Sequence, residues 1–211
     1  MRVWVALALV MPIVVSAQSR DEEIRLARSA APAAITKDAK VWVLDNGHYV
    51  VADPGRSGMA CTVVRSTAGT QAPECGDAEA DATVLAVERF RTEQRLAGQS
   101  KEQIEGELAD LIKAGRFRAP TRPALVYMLS SAQVLNNPAG KVIGKWMPHV
   151  MVFYPGLRDS ELGLVDSPDM DIPSLVEPGT PMSALVVVAR NWVDPAPRVV
   201  AGNSVDPAPK P

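Results

Sequence analysis

Cysteine and histidine are scarce in this 211-residue chain, at two each. A structural zinc site needs about four such ligands at close spacing. Cys61 and Cys75 come with no CxxC partner and no neighbouring histidine. No apolar run reaches the roughly 20 residues that span a bilayer. Neither charge is in excess, because 22 Lys and Arg stand against 24 Asp and Glu, a formal charge of -2. That balance leaves no electrostatic footprint for nucleic acid or an anionic membrane, so neither is expected as a partner. The G-x-S-x-G elbow and the S-x-x-K pattern of serine enzymes are both missing. So is a phosphate-cradling loop: Gly55-Arg56-Ser57-Gly58 is too short and leads into strand, not helix. Asp166, Asp169 and Asp171 lack the glycine and the terminal glutamate of a calcium loop. No metal and no cofactor is expected.

What is present begins at the amino end. Met1 and Arg2 make a short positive start, residues 3–15 are an apolar run, and Val15-Ser16-Ala17 supplies small residues at a cleavage position. This is the pattern of a secretory signal peptide over 1–17. The next residue is Gln18 and not cysteine, which argues against a lipid anchor. The expectation is an exported protein, periplasmic or extracellular, with no membrane span in the mature chain. The 18–192 remainder is long enough for one domain with a sizeable core. Export into an oxidising space makes a Cys61–Cys75 disulfide the expected state of the two thiols.

Periodicity assigns the elements. Ser19-Arg20-Asp21-Glu22 has the form of a capping box and opens a helix over 21–30 that Pro32 stops. Asn46-Gly47 between two β-rich runs, 41–44 and 48–51, signals a hairpin. A third strand covers 59–65 and a fourth ends near Cys75, which would make the disulfide a clamp across neighbouring strands. Helical spacing of Val84, Val87 and Phe90 runs up to Gly98. Ser100 to Gln103 is a second capping box, followed by Ile104, Leu108, Leu111 and Ile112 on one face of a helix over 100–114. Strands resume at 125–129, residues 136–140 read as a turn, and 149–154 and 184–189 are apolar on both faces, the mark of interior strands. The connection between those two is long and polar, with room for one helical turn near 159–162. Val193-Asp194-Pro195-Ala196-Pro197 recurs at 205–209, so 193–211 reads as a Pro-rich tail with too little apolar surface to fold alone. The fold class expected is α+β: one domain, a mainly antiparallel sheet, two successive helices on one face, and one disulfide.

Chemistry has few places to reside. His48 follows the hairpin turn and is expected to be exposed. His149 opens a strand after Pro148 and shares a face with Met151 and Phe153. It reads either as a general base or as an imidazole satisfied by a backbone carbonyl, the commoner fate of a histidine on an apolar face. A hydrolase would pair it with Ser130 or Ser131 and an acid such as Asp159, Asp169 or Asp171, without motif support. Lys113, Arg116, Arg118 and Arg122 form the one basic cluster. The first two complement a helix C-terminus, whereas Arg118 and Arg122 suit bidentate binding of a carboxylate or phosphate. Trp42, Trp146, Trp192, Tyr127 and Tyr154 are either core or pocket lining.

The leader, the short first helix, the Asn-Gly hairpin, the 122–130 segment Arg-Pro-Ala-Leu-Val-Tyr-Met-Leu-Ser and the 148–154 segment Pro-His-Val-Met-Val-Phe-Tyr together resemble a family of uncharacterised exported bacterial proteins. The resemblance covers most of the domain but not the tail, and it implies no activity, cofactor or catalytic residue. The function expected from the residues is non-catalytic binding of a small ligand or partner protein, with Arg118, Arg122, Tyr127, His149 and Tyr154 as candidate contacts. The alternative is a hydrolase using His149 as base, with Ser130 as its nucleophile.

Overall fold

The computed structural model describes residues 20–136, 142–145, 147–164 and 172–189. The leader, Ser19, residues 137–141, Trp146, the Asp166–Asp169–Asp171 loop, Trp192 and the tail lie outside the described residues. In chain order, helix α1 (Arg20–Arg28) and the single turn α2 (Ala33–Thr36) precede strands β1 (Lys40–Asp45), β2 (His48–Asp53), β3 (Ala60–Val64) and β4 (Ala72–Gly76). Three helices follow: α3 (Ala78–Ala82), α4 (Val84–Leu96) and α5 (Lys101–Lys113). Then come β5 (Ala124–Met128), β6 (Val134–Asn136), β7 (Val142–Lys145), β8 (His149–Phe153), α6 (Asp159–Leu162), β9 (Ser174–Val176) and β10 (Ala184–Val188).

Local chemistry accounts for the boundaries. Asn46 and Gly47 both take positive φ, 48° and 86°, as the two central positions of a type I′ hairpin turn require. Ser100 and Gln103 cap α5 reciprocally, each side chain bonding the other's backbone N–H. Asp77 caps α3 by accepting from Ala80 N at 2.8 Å. The single turn α6 falls where the long 156–182 connection has room for one. That connection also supplies the three-residue strand β9, which sequence periodicity does not register.

Eight strands form one sheet in the order β2-β1-β3-β4-β5-β8-β10-β9, and β6 and β7 pair separately. All neighbours in the large sheet are antiparallel except β1 and β3. Strand alternation sorts the core into two layers. On one face Val41, Val43, Cys61, Val63 and Cys75 pack with Leu26 and Ala27 of α1. Helix α1 is also pinned by a bidentate pair, Arg65 to Glu23, with both contacts at 2.7 Å. On the other face Val64, Ala72, Val126, Met128 and Phe153 pack with Ala80, Val84 and Leu85 from α3 and α4. Helix α4 lies against β2 and β3, and α5 stacks on α4. The protein is therefore α+β with a largely antiparallel sheet, and Cys61 and Cys75 are joined directly across β3 and β4. None of the described helices is long and apolar enough to cross a membrane.

Candidate functional site

The five contact residues expected from sequence do not converge. Arg118 and Arg122 both close on Glu79 of α3. Arg118 Nη1 and Nη2 donate to its two carboxylate oxygens at 2.6 and 3.1 Å, Arg122 Nε lies 3.4 Å from Oε2, and the Thr121 N–H donates to Oε1 at 2.9 Å. The residues suited to bidentate carboxylate binding do bind a carboxylate, but an internal one. The Arg118 hydrogen bonds and the Thr121 N–H hold the Glu79 carboxyl down at about 2. Its folded pKa lies below the ordinary value of 4.5, so its contribution to stability is complete above pH 4.5 and is lost as pH falls toward 2. Glu79→Gln is expected to flatten that acid limb, read as the unfolding midpoint at pH 7, 4.5 and 3. Equal acid sensitivity in the two proteins would show that the clamp does not stabilise the fold.

His149 sits on an interior strand, paired with Met128 on β5 and Val188 on β10. Its side is that of Met151 and Phe153, as the alternation requires. The ring is buried at 1% exposure, and Nδ1 lies 3.0 Å from the Met147 carbonyl oxygen. Burial lowers its pKa, so the neutral imidazole prevails. Ser130 Oγ shares a 2.6 Å hydrogen bond with Ser29 Oγ and accepts from Ala132 N at 3.2 Å; it makes no hydrogen bond to the imidazole. His48 is exposed, with Nδ1 3.9 Å from Glu93 Oε2.

Tyr127 points to the opposite side of the sheet, across from Cys75. There the strands β5, β8 and β10 present Leu125, Tyr127, Val150, Val152, Leu185 and Val187 on one face. All six are apolar or aromatic and none is buried; Val187 is 40% exposed. Tyr154, one step past β8, is 50% exposed. An apolar patch beside the tyrosines is thus real, while the arginines expected next to it are engaged at Glu79.

The described residues also form a cleft that sequence reasoning does not assemble. Trp42 and Tyr49 of the β1–β2 hairpin face Arg89, Phe90 and Glu93 of α4, and α5 with the turn after it contributes Glu107, Leu111, Arg116 and Phe117. The space between them is about 490 Å³, the size of a small-molecule site. Phe90 and Phe117 pack with centroids 5.3 Å apart. The Arg89 guanidinium lies over the Trp42 ring at 4.4 Å. Asp81 of α3 fixes that wall: its carboxylate accepts from Trp42 Nε1 at 3.1 Å and from Lys40 Nζ at 2.9 Å, and Arg89 Nη1 lies 2.9 Å away as an ion pair. Glu93 Oε1 accepts the Tyr49 N–H at 2.6 Å and ties the hairpin to α4. Arg116 is exposed at the mouth, with no ion pair and no side-chain hydrogen bond among the described residues.

Among the described residues no group of three or more His, Cys, Asp or Glu is placed to hold a metal. The chain matches no family model, no curated protein and no solved structure. The resemblance to exported bacterial proteins therefore rests on the segments quoted for it alone.

Proposed function

We propose that this is an exported, non-catalytic binding protein whose ligand site is the cleft between the β1–β2 hairpin and helices α4 and α5. The observation that carries the reading is the composition of that cleft. Trp42, Phe90 and Phe117 make apolar walls, Asp81 and Arg89 hold them rigid, and the Arg116 charge at the mouth is unspent. A pocket of this kind combines burial of an apolar body with a few polar groups that orient it. Export is supported by the Cys61–Cys75 disulfide, a bond that persists in oxidising compartments. A binding rather than a catalytic role is supported by the Ser29–Ser130 hydrogen bond, which leaves Ser130 unpaired with the imidazole, and by the burial of the His149 ring away from solvent. The apolar face of β5, β8 and β10 adds surface area but no group that would orient a small ligand.

Indole is the probe that tests the site. Titrated into isotopically labelled protein, it is expected to shift the Trp42 side-chain N–H and the Phe90 and Phe117 amides in a saturable way. Ala86→Phe, which adds a further ring to the cleft lining and fills its space, is expected to abolish that response while the protein keeps its unfolding midpoint. Shifts confined to Val150, Val152 and Val187, or a response that Ala86→Phe leaves intact, would overturn the assignment.

A further inference from the structure

We infer that the ligand of this cleft is amphoteric: a small molecule carrying a carboxylate and an ammonium beside a planar ring, as an aromatic amino acid does. The inference rests on the cleft reading above and names the chemistry it would select.

The ring follows from the walls. Trp42, Phe90 and Phe117 supply aromatic surface and Leu111 an aliphatic one, and Phe90 and Phe117 already pack against each other, tilted, at 5.3 Å. Aromatic contacts in this distance range add attraction beyond burial. The charges follow from counting which lining groups are committed. Arg89 is largely committed: its guanidinium is ion-paired with the Asp81 carboxylate, Nη2 donates to the Asp81 carbonyl at 3.0 Å, and the group covers Trp42, while Nη1 makes no hydrogen bond among the described residues. Glu93 is largely spent on the Tyr49 N–H and the nearby His48 ring. Two lining charges remain. Arg116 has no described partner, and Glu107 has only a long 3.3 Å hydrogen bond from Gln99 Nε2. One is cationic and one anionic, and both are exposed side chains at the cleft.

That pair decides among ligand types. A pure anion gains Arg116 but lies among Glu93 and Glu107. A pure cation gains the carboxylates but meets Arg116 and the guanidinium over Trp42. A neutral ring such as indole fills the apolar walls but leaves Arg116 and Glu107 to water, so it gains nothing from either charge. A zwitterion satisfies both, its carboxylate taking the Arg116 fork and its ammonium donating to Glu107.

Calorimetric titration with three probes of one skeleton tests this: L-phenylalanine, 3-phenylpropionate, which lacks the ammonium, and phenethylamine, which lacks the carboxylate. L-Phenylalanine is expected to bind at least about tenfold more tightly than either single-charge probe. Arg116→Gln is expected to bring it down to the level of phenethylamine, and Glu107→Gln to the level of 3-phenylpropionate. Both side chains are exposed, and unchanged unfolding midpoints would confirm that the variants fold. If either single-charge probe equals L-phenylalanine while Ala86→Phe still abolishes all binding, the cleft stands and the amphoteric inference falls. If Ala86→Phe leaves all three affinities unchanged, the cleft reading itself falls.

Discussion

Glu74→Gln is expected to stabilise the protein at pH 8 by about 4 kcal/mol while changing little at pH 4.5. Glu74 lies on β4 directly across from Thr62 of β3, under helix α4, with 7% of its surface exposed. Its carboxyl takes no hydrogen bond among the described residues, and the Thr62 hydroxyl beside it is buried and unbonded. Burial pushes its pKa up from 4.5 to about 8, and the like charge of Glu88 on α4 pushes the same way. In the unfolded chain the group titrates near 4.5, so between pH 4.5 and 8 the folded state holds a proton that the unfolded state has released. Stability therefore falls as pH rises through that window, and the fall ends once the folded carboxyl itself ionises. The neutral amide removes the ionisation at nearly constant volume. Urea unfolding at pH 5 and pH 8 reads the effect: wild type should lose several kcal/mol between the two, and the variant much less. Parallel pH profiles would show that Glu74 is ionised in the folded protein.

Glu74 and Glu79 bound the stability profile from opposite sides. Both are glutamates within one short stretch of chain, and both are nearly buried. Glu79 meets two arginines and a backbone N–H and is held at about 2. Glu74 meets an apolar layer, an unbonded hydroxyl and another carboxylate, and is driven to about 8. Acid removes what Glu79 contributes, and alkali imposes what Glu74 costs. The maximum is therefore expected near pH 4.5–5, where Glu79 is still ionised and Glu74 still protonated.

These contrasts mark where local reading of the chain stops. The Asn46-Gly47 hairpin, the Ser100–Gln103 capping box, the interior placement of His149 on β8 and the cysteine pair depend on residues near one another or on composition. All were legible. Helix α3 was not, because five residues complete barely more than one turn and show no period. Without that helix nothing in the sequence points to Glu79 as the partner of Arg118 and Arg122, which lies 39 and 43 positions away. The two arginines then read as free. The cleft was hidden for the same reason. Trp42, Phe90 and Phe117 come from a strand, a helix and a turn, and only the docking of α4 on the hairpin brings them together. Individually each aromatic looks like core. Arg116 sits where a helix C-terminal charge belongs, just after α5, and nothing local reveals that it also lines the cleft.

Removing the disulfide is the other change with a large expected effect. Cys61→Ala with Cys75→Ala should lower stability by about 3 kcal/mol, or roughly 6–12 °C in Tm for a domain of this size. The bond joins register partners whose Cα atoms are 4.1 Å apart, and its sequence separation is 14. In the chain-entropy account a loop of this length contributes about 3 kcal/mol by restricting the unfolded chain. The folded chain should change little, because β3 and β4 are already paired on both sides, β3 by β1 and β4 by β5. Both sulfurs are fully buried beside Ala27 of α1, and the alanines also leave a small void there, so the loss should not be less than the loop value. The wild-type protein unfolded with and without dithiothreitol separates the two contributions, since reduction removes the cross-link but keeps both sulfur atoms. Reduced wild type is expected to fall most of the way to the double variant. If reduction leaves the midpoint unchanged, the bond contributes nothing, and its weight as support for an oxidising location is lost with it.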